Sequence, residues 1–242
     1  VNAFYVQYFT LSVVNLCLSW WKISDTINNL QWAQEKLAEY AADVNDIHTK
    51  YVDPIKQYHH KLSMQGVIDN IHEHRMYETM IGTALDSLNR LQARCREQQE
   101  MLNREARQNT MGAISMGHSG WTSWGLASVF PEAAVAMKLL AAVQVATSVA
   151  HGVSAVKSYQ LSEEFTRFEQ RLVNMMRDLK QIKEDFARYG MEYDVQAAQW
   201  DTQQVVQWTK AQDARFDDIA EAFERENIDG KDLLEMDHDT LE

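Results

Sequence analysis

Leu161, Phe165, Phe168, Leu172, Met175, Leu179, Ile182, Phe186 and Tyr189 follow one another at alternating steps of four and three. That spacing puts all of them on one stripe of an α-helix, whereas a strand would scatter them over both faces. Glu, Arg, Lys and Asp fill the intervening positions, as on the solvent side of a helix packed along a seam. The stretch is therefore committed to a long helix that buries one side, with Gly190 as its expected stop. Ile81, Leu85, Leu88, Cys95 and Leu102 repeat the rhythm upstream, with Gln92 and Gln99 at seam positions. This predicts a second long helix from the 60s to about Arg107. A third seam, Ile23, Ile27, Leu30, Leu37, Ala41, Val44 and Tyr51, predicts a helix over about 23–51, with Gln34 and His48 as polar interruptions. Pro54 is expected to break or kink it, with Asp53 extended.

Between the helix that ends near Arg107 and the one that carries Leu161–Tyr189 lies a stretch of a different kind. From Asn109 to Val156 the only titratable side chains are His118, Glu132, Lys138 and His151. Its first arm is interrupted by Gly and Ser and carries Trp121 and Trp124. Pro131 and Glu132 suit a turn or helix start. The second arm, Ala133 to Val156, is long enough to cross a bilayer of about 30 Å. Two readings remain open: a hairpin that meets lipid, and the buried centre of a soluble bundle. On the first reading the contact residues are Trp121, Trp124, Leu126, Val129, Phe130, Val135, Met137, Leu139, Leu140, Val143, Val145, Val149 and Val153. The heptad residues 161–189 then form the bundle or oligomer seam. Val1 to Trp21 carries no charge and no basic leader, and is expected to be an amphipathic helix. Long amphipathic helices flanking an apolar hairpin resemble, in layout over about residues 23–193, the helical pore-forming toxins of the cytolysin A and haemolysin BL type. That resemblance implies a hairpin that leaves a soluble bundle and enters a membrane.

The C-terminal stretch has its own pattern. Trp200, Val205 and Trp208 are followed by Phe216 and Phe223, then by "NIDG" and two leucines, with Ile228, Gly230, Leu233, Leu234 and finally Leu241. This resembles a sterile alpha motif (SAM) domain without its last helix. The resemblance makes these residues its small core, with Gly230 at a tight turn and Asp237 at a helix cap. It also implies pairing with another copy or another SAM-containing protein through an acidic face, here Asp213, Asp217, Asp218 and Glu221. Thr209 stands where that family usually has Leu.

The expected fold class is all-α: an elongated antiparallel bundle or coiled coil with an apolar helical hairpin over 1–195, then a SAM-like module over 196–242. The chain has 242 residues with only 2 Pro and 9 Gly, which suits long helices. The net charge is −12, and Trp200–Glu242 holds 13 Asp and Glu against 4 Lys and Arg. So acidic a chain is a poor nucleic-acid ligand. His59-His60 and His72-Glu73-His74 lack metal-ligand spacing on a helix, and "GHSGW" lacks the preceding strand of a nucleophile elbow. No enzyme activity, metal or other cofactor is expected. Two cysteines suggest a reducing compartment and a cytoplasmic soluble form that associates with membranes when active. The expected partners are a second copy, another SAM-containing protein and a lipid membrane.

Overall fold

A computed structural model of the chain describes residues 3–66, 68, 70–129, 133–212 and 216–236. The elements among these residues are helices: α1 Ala3–Ile47, a π-turn His48–Val52, α2 Asp53–Gln65, α3 Ile71–Val129, α4 Ala134–Ala197, α5 Thr202–Gln212, α6 Asp217–Glu226 and α7 Gly230–Glu235. The all-α fold class is thus observed.

Pro54 does not break the first helix. Asp53 is helical (φ −63°, ψ −50°), not extended, and its N–H reaches back to His48 O in the wide π pattern. Adding one residue to the turn takes up the misfit where proline lacks a donor and crowds the preceding turn. The chain stays helical through Pro54 and leaves α2 at Gly66, whose φ of 74° suits a glycine C-cap. Asn70 then caps α3, its Oδ1 accepting from the N–H groups of His72 (2.9 Å) and Glu73 (3.1 Å).

Nor do the glycines of 111–130 interrupt α3, and Gly190 does not stop α4; both helices run through them. The hairpin is made of the adjoining parts of α3 and α4, and residues 130–132, with Phe130, lie outside the described residues. A seven-residue register persists along both helices. On α3 it buries His74, Ile81, Leu88, Cys95, Leu102, Asn109, Met116 and Ser123. On α4 it buries Met137, Gln144, His151, Ser158, Phe165, Leu172, Leu179, Phe186 and Tyr193. On α1 the buried set is Ser12, Ser19, Thr26, Ala33, Tyr40 and Ile47, with Ile23 and Leu30 between. The expected α1 seam was half right: Ile23 and Leu30 face inward, while Ile27 is 54% exposed.

Contacts divide the chain into two compact units. The first is Val1–Asn45 with Asn89–Asn174, and the second is Asp46–Leu88 with Met175–Glu242. In the first, Asn29 bonds Glu105, Thr26 bonds Asn109 and Tyr8 bonds Ser123, so α1 runs antiparallel to α3. Ser162 bonds Asn103 and Ser123 bonds Gln144, so α4 runs antiparallel to α3 as well. The unit is a three-helix bundle. Toward Tyr40 its interior is ordinary: the Tyr40 ring meets Phe165 edge-on at 6.3 Å amid Leu91, Cys95, Leu161 and Leu172.

The second unit has an aromatic and aliphatic core. Tyr58 of α2 stacks on Tyr77 at 4.3 Å and meets Phe186 edge-on at 5.5 Å. His74 is buried and donates from Nε2 to Phe186 O at 3.1 Å, while desolvation holds its pKa below the ordinary value. Val205, Val206, Ala220 and Phe223 form the centre of the C-terminal helices, covered by Trp200, Ile228, Leu233 and Met236. Trp208 and Phe216 are half-buried, Thr209 is buried, and Leu234, expected in this core, is 41% exposed. The turn before α7 takes its positive φ at Asn227 (55°), not at Gly230. Gly230 is needed for close approach: a Cβ there would lie 1.7 Å from Ala197 O, and its N–H donates to Trp200 O at 3.0 Å. Asp229 and Asp232 form a reciprocal capping box at the start of α7.

Gly230→Ala should therefore cost at least about 2 kcal/mol, because backbone must move. Near-UV circular dichroism would record it as loss of the Trp200 and Trp208 signal. By contrast, nothing lies within 4 Å of a Cβ at Gly82, inside α3. Gly82→Ala should raise stability by about 0.5 to 1 kcal/mol in a denaturant titration.

Candidate functional site

One end of the first unit has the reverse of a soluble bundle's polarity. Three segments without Asp, Glu, Lys or Arg meet there: residues 3–21 of α1, 108–129 of α3 and 139–156 of α4. At 1.5 Å per residue each spans roughly 27 to 33 Å. Lys22, Arg107 and Lys157 bound the three segments at one end. Lys138 lies toward the other, its Nζ 5.8 Å from the centre of the Trp124 ring.

Most inward positions in this band carry small or polar residues, with Met116 and Leu140 the large apolar exceptions. Ser12, Ser19, Asn109, Ser123, Gln144, Thr147, His151 and Ser154 are all buried. Two layers tie the helices together. In one, Asn109 Nδ2 donates to Thr26 Oγ1 at 3.0 Å, and Asn109 Oδ1 accepts from His151 Nδ1 at 2.8 Å. That bond assigns the proton to Nδ1 and leaves the buried Nε2 of His151 without a hydrogen-bond partner. In the other, Ser123 Oγ donates to Gln144 Oε1 at 2.7 Å and receives the Tyr8 hydroxyl at 3.2 Å. Ser148 Oγ adds a bond to the backbone oxygen of Ala113 at 2.7 Å.

Gly112, Gly117 and Gly120 of α3 face α4 and allow this approach. A Cβ on Gly112 would lie 2.9 Å from the His151 ring, and one on Gly120 would lie 2.9 Å from Val145 Cγ2. Many large apolar residues point outward: Leu11, Leu18 and Trp21 on α1, Ile114 on α3, and the valines of α4. His118 is also exposed on this outer face. Of the most apolar 18-residue window of α4, with mean hydropathy 1.6, only 39% is buried.

Of the expected membrane-contact residues, Trp121, Trp124, Val129, Val135, Leu139, Val143, Val145, Val149 and Val153 are exposed, with Trp121 the most at 79%. Leu126 is half-buried. Met137 and Leu140 are corrections: they occupy the inner stripe with Ala127, at 0% and 6% exposure, and cannot meet lipid. In the heptad seam Leu161, Phe165, Leu172, Leu179, Ile182 and Phe186 are buried, while Phe168, Met175 and Tyr189 are half-buried beside them. This stripe is engaged within the chain. Asp217, Asp218 and Glu221 are exposed on α6, whereas Asp213, Asp237 and Leu241 lie outside the described residues. The outward residues of α1 were not anticipated; the signal that marks them is the inward repeat Ser12–Ser19–Thr26, spaced by seven.

The histidines do not converge. His72 is exposed, His74 is core, and His59 pairs with Asp185 at 3.0 Å. No metal-binding group of three or more His, Cys, Asp or Glu occurs among the described residues. No protein family, curated protein or solved structure matches the chain.

Just below the band, Glu105 accepts from Asn29 Nδ2, while its Oε2 is buried and unpartnered. Desolvation, set against that hydrogen bond, raises its pKa above the ordinary carboxylate value. A raised carboxyl pKa means the native state releases its proton less readily than the unfolded chain. Stability is therefore lost as pH climbs from the ordinary value through the raised one. Glu105→Gln should match the parent protein in thermal melts below about pH 4 and exceed it by about pH 8, with the gap opening between.

Proposed function

We propose that the chain is a membrane-inserting helical protein whose charge-free band enters lipid, with the C-terminal module serving assembly or recruitment. One observation carries this reading: within the band the buried positions are mostly small or polar, Met116 and Leu140 excepted, while most of the large apolar side chains are exposed. In water each buried Å² of apolar surface contributes about 25 cal/mol, so a soluble bundle gains by turning these valines and tryptophans inward. In hydrocarbon that gain vanishes, and close approach of small residues with hydrogen bonds between helices holds a bundle together. The interior of the band has both features. Its length suits a hydrocarbon core of about 30 Å. Because the chain is acidic, insertion is driven by apolar surface and not by attraction to anionic lipid. On this reading the band meets lipid in the arrangement it already has, without turning inside out. Since the heptad stripe is engaged within the chain, self-association falls to the outward faces. Recruitment of a SAM-containing partner falls to the acidic face of α6.

Two cysteines give a direct test. Cys17 is exposed on α1 within the band, whereas Cys95 is buried and its thiol is pushed up to about 12 by desolvation. A membrane-impermeant maleimide should label Cys17 alone in the lipid-free native protein, and liposomes of neutral phospholipid should suppress that labelling. Val149→Asp, at an outward position, should abolish flotation with those liposomes while leaving the melting temperature unchanged, because a charge at mid-bilayer depth costs about 2.5 to 3.5 kcal/mol. Labelling of Cys17 that liposomes do not alter, with flotation absent, refutes the proposal and returns the outward face to protein contacts.

A further inference from the structure

Where α1 and α4 run side by side, a groove of about 740 Å³ opens between them. That volume is in the range of small-molecule sites. Its lining changes along its length. At one end are Trp20, Ile27 and Val153; at the other are Gln34, Lys157 and Glu164. On α4 the change falls where the charge-free segment ends, at Val156–Lys157, whereas on α1 the apolar lining continues past Lys22 through Ile27 and Leu30 to Gln31 and Gln34. On α4 the apolar end thus belongs to the band and the polar end lies beyond it.

The order of charges along α4 is specific. Val153 comes first, Lys157 one turn later, and Glu164 two turns beyond that, roughly 10 Å further from the band. Neither Lys157 nor Glu164 has an ion-pair partner among the described residues. Going outward from the band, the wall therefore presents hydrocarbon, then a cation, then an anion. A zwitterionic phospholipid presents the complementary sequence: acyl chain, phosphate, ammonium. A phosphatidylglycerol would set its phosphate at Lys157 but leave Glu164 facing an uncharged glycerol. A soluble phosphate would leave the apolar end in water.

We infer that this groove binds one zwitterionic phospholipid, its acyl chain along Ile27 and Val153, its phosphate at Lys157 and its ammonium at Glu164. The inference rests on the membrane reading for its biological setting, since it makes the groove a lipid clamp at the boundary of the inserted band. The binding itself can be measured without a bilayer.

The test is calorimetric titration of the full chain with dihexanoylphosphatidylcholine below its micelle concentration. Dihexanoylphosphatidylglycerol and inorganic phosphate serve as comparison probes. Saturable binding at one site is expected, with the glycerol lipid weaker and phosphate silent. Lys157→Glu combined with Glu164→Lys keeps net charge but reverses the order, and should weaken binding at least about tenfold. Val153→Trp, at an exposed position, should block the acyl end to a similar degree. Absence of saturable binding, equal binding of the glycerol lipid, or variants that bind like the parent would each overturn the inference. Flotation of the same variants separates the two proposals. Variants that float but do not bind leave the membrane reading standing, and a chain that binds but does not float retains the groove alone.

Discussion

The structure depends on one seven-residue register kept through α1, α3 and α4. A heptad seam fixes which positions face inward, and it does so whatever residues occupy them. Around Tyr40, Phe165 and Leu102 those positions hold large apolar side chains, and the interior of the bundle is apolar. Further along the same helices they hold Ser12, Ser19, Asn109, Ser123, Gln144 and His151. Because the register does not shift, most of the large apolar residues that remain lie outward, with Met116 and Leu140 kept on the inner stripe. The inverted band is thus a change of residues on an unchanged scaffold.

The polar layers carry a second consequence. A buried amide or imidazole is tolerable only when its partners are in place, and an alternative register would leave Asn109, His151 and Gln144 without theirs. The Thr26–Asn109–His151 layer therefore opposes sliding of one helix against another more than a row of leucines would, the use of buried polar groups with the best support. Gly112 belongs to that layer in the same sense, since any side chain there would collide with the imidazole. Where apolar association gives no drive between helices, such layers define the arrangement.

Much of this was legible in the sequence, and the misses share a cause. The stripe Leu161–Tyr189 could be read because its residues are large, apolar and flanked by charge. On α1 the companions of Ile23, Leu30 and Leu37 could lie three or four residues on. Ile27 and Ala41 looked apolar enough to be chosen over Thr26 and Tyr40, yet burial selects the latter pair. Met137 and Leu140 were grouped with their outward neighbours because composition alone does not say which side of an almost uniformly apolar helix packs. The glycines of α3 and Gly190 look like interruptions in a sequence. They are harmless in long helices whose stability comes from packing along a seam. Pro54 needed a π-turn, which leaves no mark in the sequence. Exposed and buried uses of serine are indistinguishable in composition, and only their spacing of seven separates them.

Charge completes the division of labour. The band carries no acidic residue, whereas the stretch from Trp200 holds 13 acidic against 4 basic ones. On the proposed reading no carboxylate comes to rest within the hydrocarbon, and Glu132, between the two arms of the hairpin, is the one acidic residue of the hairpin that has to cross it. The same imbalance bears on assembly. Two copies of α6 brought together would set Asp217, Asp218 and Glu221 against their own kind, and like charges across an interface oppose association. A basic surface on a different protein meets this face without that repulsion. On the proposed reading the acidic module suits an unlike partner, and contacts between copies would fall to the outward apolar residues of the band.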